Sequence, residues 1–343
     1  MRAALVRSPP PSGAWPVGTV TTNLGTPATV TRGAAQIWYP APPGTIGSGA
    51  PYLQGSERSF SLRILNAVVA TIAVAGAPVA AQRFPIVLYV PGWGGNRTDN
   101  TAAAQDLASN GYIVAAIDDP FPSVPMDFSS GPALCKTIAW ANRKLRLIVD
   151  RIAYLLDALA VVDRTPYKRF FQRLDLERVG ILGFSFGGAV AAEAAGADPR
   201  IGASVNLDGW LFGNALRTGV SCPYLAVGGP STESKEAPGR FASEAAVIAD
   251  RFDRANEKLH LDGLRRRGGY LVTIAGAGHY NFTDAGWLPT LRRTGLGPID
   301  GRRAAAIVSA YVVQFFDQTL RARRAPLFER GARFDDAAQL LAF

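Results

Sequence analysis

Ser185 stands in Gly183-Phe184-Ser185-Phe186-Gly187-Gly188, between the apolar run Val179-Gly180-Ile181-Leu182 and the alanine-rich run Ala189 to Ala195. Strand, G-x-S-x-G and helix in that order form the setting that a nucleophilic serine needs. The turn is strained, and glycine on either side lets the neighbouring backbone pass close by. It lifts the hydroxyl above the sheet edge, where the next backbone N–H and the helix N-terminus face developing negative charge. The pattern alone is weak, because Gly and Ser also pair in ordinary turns. Its partners must carry the argument.

A serine nucleophile needs a base within hydrogen-bond reach, and histidine is the usual one. The chain has two histidines. His260 lies between Leu259 and Leu261 inside an expected helix, a place for packing or surface. His279 lies in Gly276-Ala277-Gly278-His279, directly after the last apolar strand, and is the expected base. The acid must hold the imidazole tautomer and stabilise the imidazolium. Asp208 ends the strand after the serine strand and is favoured, although Asp-Gly is also a common structural turn. Glu233 and Glu236, after Gly228-Gly229, are rivals, and Asp284 is a third. The second oxyanion donor, beside the Phe186 N–H, is expected from Trp93 in Gly92-Trp93-Gly94. Trp93, Phe121, Trp210, Phe212, Tyr280 and Phe282 lie near these positions in sequence and could line an apolar substrate pocket; core packing is the bland alternative.

These residues need a scaffold that gathers strand ends. Val17-Thr22, Ala28-Thr31 and Gln36-Tyr39 read as antiparallel strands. Pro85-Val90, Tyr112-Asp118, Ile201-Leu207, Pro223-Val227 and Tyr270-Ile274 are apolar runs of buried-strand length. Helices are expected over about Leu62–Val74, Thr101–Asn110, Ile138–Asp163, Phe241–Leu264 and Arg302–Leu320. On the third, Leu145, Ile148, Val149, Ile152, Leu155, Leu156 and Leu159 share a face. Strand and helix alternate, which predicts one α/β domain: a mostly parallel sheet with helices on both faces and antiparallel N-terminal strands. Residues 1–13 read as a loose arm, 229–264 as a candidate cap segment, and 323–343 as a tail with one short helix. Functional groups gather at the carboxyl ends of parallel strands, where Trp93, Asp118, Ser185, Asp208 and His279 stand.

Composition narrows the classes. Hydrophobic residues make up 48% and charged residues 18% of the 343, the balance of a folded globule with a large core. Cys135 and Cys222 are too few for a disulfide framework and lack metal-site spacing, so two separate buried thiols are expected. The net charge of +9 comes from scattered arginines without interleaved aromatics, which argues against nucleic acid. A basic surface is compatible with peripheral contact to anionic membranes or substrates. No apolar run is long enough to span a bilayer, and no secretory signal is visible. That reads as cytoplasmic by default, or secreted if a leader has been removed. Oligomeric state is not legible.

At this point the chain resembles the α/β-hydrolases related to platelet-activating factor acetylhydrolase, from about Pro16 to Leu320. The resemblance rests on Ile37-Trp38-Tyr39-Pro40, Phe84 to Leu88 leading into Pro91-Gly92-Trp93-Gly94-Gly95, and Leu107 to Tyr112. Gly183 to Gly188, Asn206-Leu207-Asp208-Gly209-Trp210 and Gly278-His279-Tyr280-Asn281-Phe282-Thr283-Asp284 complete it. It implies an α/β-hydrolase fold and a cofactor-free, metal-free Ser-His-Asp esterase. The acid would follow the nucleophile after a short interval, at Asp208. The implied substrates are short-acyl or accessible esters: acetyl-phospholipid-like, aryl or polyester links. Pro91 and Phe184 stand where the family often has histidine, which bears on the oxyanion loop and on the polarity beside the serine. An acyltransferase and a non-catalytic binding protein on the same scaffold are the alternatives.

Overall fold

The computed structural model describes residues 6–23, 34–53, 66, 68–121, 124–165, 168–231, 238–239, 242–288 and 294–343. Its strands are β1 (Val6–Arg7), β2 (Val17–Asn23), β3 (Ala34–Pro40), β4 (Val69–Ala70), β5 (Val74–Ala75), β6 (Phe84–Val90) and β7 (Ile113–Ile117). They continue as β8 (Leu174–Phe184), β9 (Ile201–Leu207), β10 (Tyr224–Gly228), β11 (Tyr270–Ile274) and β12 (Ala338–Ala342). Ten of them form one sheet in the order β12-β11-β10-β9-β8-β6-β7-β3-β2-β5. The central run from β11 to β7 is parallel, while β3 is antiparallel to both β7 and β2, and β12 is antiparallel to β11.

The α-helices whose bounds lie among the described residues are α1 (Thr101–Ser109), α2 (Gly131–Arg164), α3 (Phe186–Ala197), α4 (Gly213–Thr218), α5 (Glu244–Arg267) and α6 (Gly301–Arg321). They cover both faces. Along β6, Ile86, Leu88 and Val90 pack toward α2 and α3, while Val87 and Tyr89 pack toward α1 and α6. A strand buried on both faces reads as a continuous apolar run, which is why β6 and β7 stand out in the sequence. This is the mostly parallel α/β architecture expected from the alternation of apolar runs, and it fits the α/β-hydrolase fold that the resemblance implies.

Several boundaries differ from the sequence expectation. Of the helix expected over Leu62–Val74, the described residues Asn66 and Val68 are helical, and β4 and β5 take over from Val69 onward. Val69, Thr71, Ile72 and Val74 are β-branched and favour extended backbone. The Ile72 and Ala73 N–H groups donate to Gln105 Oε1 instead of continuing a helix. Helix α2 starts seven residues earlier than expected, because Ser130 caps it and Pro132 suits its first turn. Residues 6–13 are held rather than loose: β1 pairs with β4, and the Ser12 and Gly13 N–H groups bond Asp106 and Ser109. The tail adds a 3₁₀ turn over Pro326–Phe328 and then β12 rather than an α-helix. Cys135 is exposed, not buried, and Cys222 is partly buried; both are free thiols. The strand expected over Ala28–Thr31 lies outside the described residues, as do Glu233 and Glu236.

Candidate active site

Strand β8 ends at Phe184 and α3 begins at Phe186, so Ser185 alone makes the turn. Its backbone sits at φ 53°, ψ −121°, a region that costs a non-glycine residue about 1–3 kcal/mol. A Cβ on Gly183 would stand 1.9 Å from the Gly187 carbonyl oxygen, so the elbow closes only with glycine there. The Ser185 N–H is tied to the Leu207 carbonyl at 2.8 Å, which locks the turn to the end of β9. Phe186 opens α3, so its N–H has no intrahelical acceptor and points the same way as the helix N-terminus.

Asp208 follows β9 and also has a positive φ, 52°. Its N–H bonds the Val227 carbonyl at 2.7 Å, and its Oδ1 accepts from the Gly229 N–H at 3.1 Å. Oδ2 is thereby left for His279, whose Nδ1 lies 2.7 Å away. His279 Nε2 lies 3.0 Å from Ser185 Oγ. His279 sits on a 3₁₀ turn, His279–Phe282, after β11. Asn281 Oδ1 holds that turn by accepting from the Gly278 and Gly297 N–H groups. Phe184 lies against the imidazole, with ring centroids 4.8 Å apart. The geometry thus places Ser185, His279 and Asp208 in one hydrogen-bonded row.

The rival acid Asp284 is elsewhere employed. It is buried and accepts from Tyr52 Oη, the Thr101 and Ala102 N–H groups and Trp287 Nε1, capping α1 across space. Burial outweighs those four donors and pushes its carboxyl up to about 7. His260 is bonded to Tyr224 and is not in the row with Ser185.

The glycine loop after β6 runs beside the serine: a Cβ on Gly92 would come within 3.3 Å of Ser185 Cβ. Its conformation is set by Asp119, which follows β7. Asp119 Oδ2 accepts from the Gly94 N–H at 2.7 Å, Oδ1 accepts from the Phe121 N–H, and the Asp119 N–H donates to the Gly95 carbonyl. The Gly94 N–H is thus turned to Asp119. Asp119 is paired with Lys144 of α2, and each side chain is only 2% exposed. The Lys144 ammonium also lies 4.9 Å from the Trp93 ring centroid and 5.3 Å from that of Phe186. Burial pulls the Lys144 pKa down, against the opposing pull of Asp119.

A cavity of about 930 Å³ opens over Ser185. Of the six aromatics expected there, Trp93, Trp210, Phe212 and Tyr280 line it. Phe282 is instead packed in the core between the sheet and α6, and Phe121 packs beside Lys144 and does not line the cavity. Sequence reasoning did not single out Met126, whereas α5, mostly within the segment 229–264 read as a candidate cap, supplies a wall through Asp253, Asn256, His260, Leu261 and Leu264. Trp210 Nε1 donates to Asp253 at 2.7 Å, and Asn256 bonds both backbone groups of Leu211, so α5 is fastened to the segment after Asp208. Among the described residues, no group of three or more His, Cys, Asp or Glu side chains is arranged to hold a metal ion. No helix among them is long and apolar enough to cross a membrane.

Comparison with known proteins agrees with this picture. The dienelactone hydrolase family model matches residues 72–223. A protein of Arthroderma benhamiae, named as a probable 1-alkyl-2-acetylglycerophosphocholine esterase, is 24% identical over 265 residues, covering 69% of this chain and 60% of that protein. The platelet-activating factor acetylhydrolase of Canis lupus familiaris is 22% identical over 316 residues, 80% of this chain and 65% of the relative. The chain therefore spans somewhat less than two thirds of the length of these relatives. Among solved structures, a ferulic acid esterase from Streptomyces cinnamoneus superposes with a TM-score of 0.76 at 27% identity, over 98% of this chain and 100% of that one. These relatives, by sequence and by structure, carry the names of esterases or of an acetylhydrolase, and the stretch that the dienelactone hydrolase family model matches contains Ser185 and Asp208.

Proposed function

We propose that the protein is a serine carboxylic ester hydrolase working through an acyl-enzyme. The observation that carries this reading is the row Ser185 Oγ–His279 Nε2–His279 Nδ1–Asp208 Oδ2, with contacts of 3.0 and 2.7 Å. Ser185 attacks the acyl carbon while His279 Nε2 takes the hydroxyl proton, and Asp208 steadies the imidazolium through Nδ1–H. The Phe186 and Trp93 N–H groups receive the oxyanion. His279 then gives its proton to the departing alcohol, and a water molecule repeats the sequence to release the acid.

The cavity supports a substrate larger than an acetyl ester. Its volume lies near the upper end of the roughly 300–1,000 Å³ of ordinary small-molecule sites. Trp93, Trp210, Phe212 and Tyr280 suit a flat or apolar group, which favours aryl-type acyl esters, in keeping with the name of the structural neighbour. The test is hydrolysis of p-nitrophenyl esters from acetate to palmitate and of methyl cinnamate, with wild type and Ser185→Ala. The reading predicts turnover that Ser185→Ala removes. Activity that survives Ser185→Ala, or wild type inert on every ester, would overturn it.

A further inference from the structure

The α5 end of the cavity holds a polar chain whose proton directions can be followed. Asn206 Oδ1 accepts from the Gly209 N–H at 2.9 Å, which fixes the orientation of its amide. Nδ2 donates to the Gly209 carbonyl and, at 3.1 Å, to the Tyr224 hydroxyl. The Tyr224 oxygen receives that proton, so its own proton is directed to His260 Nε2, 2.8 Å away. A neutral imidazole that accepts at Nε2 carries its hydrogen on Nδ1. Burial holds His260 neutral, pushing its pKa down to about 4. His260 lines the same cavity as Ser185, and no described residue bonds its Nδ1.

The surroundings say what this donor would meet. Leu261, Leu264, Leu271 and Val227 add apolar lining to the cavity, and the acidic residues Asp253 and Glu257 also line it. An anionic group would be repelled there, so an uncharged acceptor fits. The alcohol must leave past His279, whose loop neighbours Tyr280 and Thr283 also line the cavity. Phe212 packs against Phe186, the residue after the nucleophile, with ring centroids 5.8 Å apart, and against Phe252 of α5 at 6.5 Å. That end is left for the acyl group.

We propose that the α5 end of the cavity is an acyl-recognition subsite in which the His260 Nδ1–H donates to an uncharged oxygen, ether or hydroxyl, carried by a flat apolar acyl group remote from the scissile bond. This rests on the ester-hydrolase reading above. A site built to hydrogen-bond a substrate oxygen discriminates against the analogue that lacks it, because the bound acyl group shuts the donor off from water and leaves it unpaired.

The probes are methyl 4-methoxycinnamate and methyl 4-ethylcinnamate, which share a shape and differ by one oxygen for one methylene. The quantity is the ratio of their kcat/KM values in wild type, His260→Phe, His260→Asn and Tyr224→Phe. Wild type should favour the methoxy ester about 2- to 10-fold, the range of one neutral hydrogen bond. His260→Phe should bring the ratio near one. His260→Asn, which places an amide N–H near the Nδ1 position, should restore part of it. Tyr224→Phe should lower it by freeing the tautomer, and it keeps the test sharp if His260→Phe does not fold. An unchanged ratio in folded His260 and Tyr224 variants overturns the subsite, as does a wild type that cleaves p-nitrophenyl acetate but neither cinnamate. Failure on p-nitrophenyl acetate as well would remove the hydrolase reading itself.

Discussion

Replacing Lys144 by methionine should destabilise the protein by about 3–5 kcal/mol, the cost of leaving one partner of a buried ion pair uncompensated. Lys144 and Asp119 are each 2% exposed, so water cannot replace the lost ammonium. The lower end of the range applies, because the Gly94 and Phe121 N–H groups still bond the Asp119 carboxylate. The ammonium also lies within 6 Å of the Trp93, Phe121, Trp140 and Phe186 ring centroids, contacts that methionine keeps only in part. Urea unfolding followed by tryptophan fluorescence reads the change directly. Asp119→Asn combined with Lys144→Met restores charge balance and retains an acceptor for Gly94, so it should recover most of the loss. Asp119→Ala should instead release the glycine loop and lower kcat tenfold or more at nearly constant KM, approaching the 10²–10³ of a lost oxyanion donor. A Lys144→Met protein within about 1 kcal/mol of wild type would refute the reasoning from burial and pairing.

Three further outcomes follow from the same geometry. Gly183→Ala puts a Cβ 1.9 Å from a backbone oxygen, so the elbow should not form. A soluble, fully active Gly183→Ala protein would contradict that. Asp208→Asn should lower kcat by up to about 10⁴ with little change in unfolding midpoint, since the row keeps its shape but loses the tautomer and charge control. A loss below tenfold in steady-state kinetics would count against Asp208 as the acid. For Asp284, burial raises the folded-state pKa to about 7. The folded carboxyl therefore stays neutral while the unfolded one ionises, so its stability contribution is full below about pH 4 and is lost as pH rises toward 7. Relative to wild type, Asp284→Asn should gain stability across that window at up to about 1.4 kcal/mol per pH unit. Parallel pH curves for the two proteins would contradict this.

The parts of the fold legible in the sequence are those where one local rule dominates. β6 and β7 are buried on both faces and stand out as apolar runs, and the elbow shows because strand, glycines and helix are contiguous. Chain-distant contacts decided the rest. Nothing local shows that the Ile72 and Ala73 N–H groups find Gln105 and so leave the helical path, or that β12 pairs with β11. Lys144 was hidden among the leucines of α2, although 144, 148, 151 and 155 fall on one helical face, so a cation there was a signal of buried pairing. For the candidate site, His279 was accessible because only two histidines compete. The choice between Asp208 and Asp284 was not local: it turns on which carboxylate points at His279 and which one caps α1. Phe282 follows the same logic, since its place in the loop gave no sign that its ring turns into the core.

The measurement that tests the central claim most directly is covalent trapping followed by peptide mass spectrometry. The protein is treated with diethyl p-nitrophenyl phosphate, and the modified residue and the residual esterase activity are recorded together. The account predicts one phosphoryl adduct, on the peptide carrying Ser185, with activity lost in proportion to labelling and no labelling in His279→Ala. An adduct at another residue, or a protein fully labelled at Ser185 that keeps its activity, would contradict it.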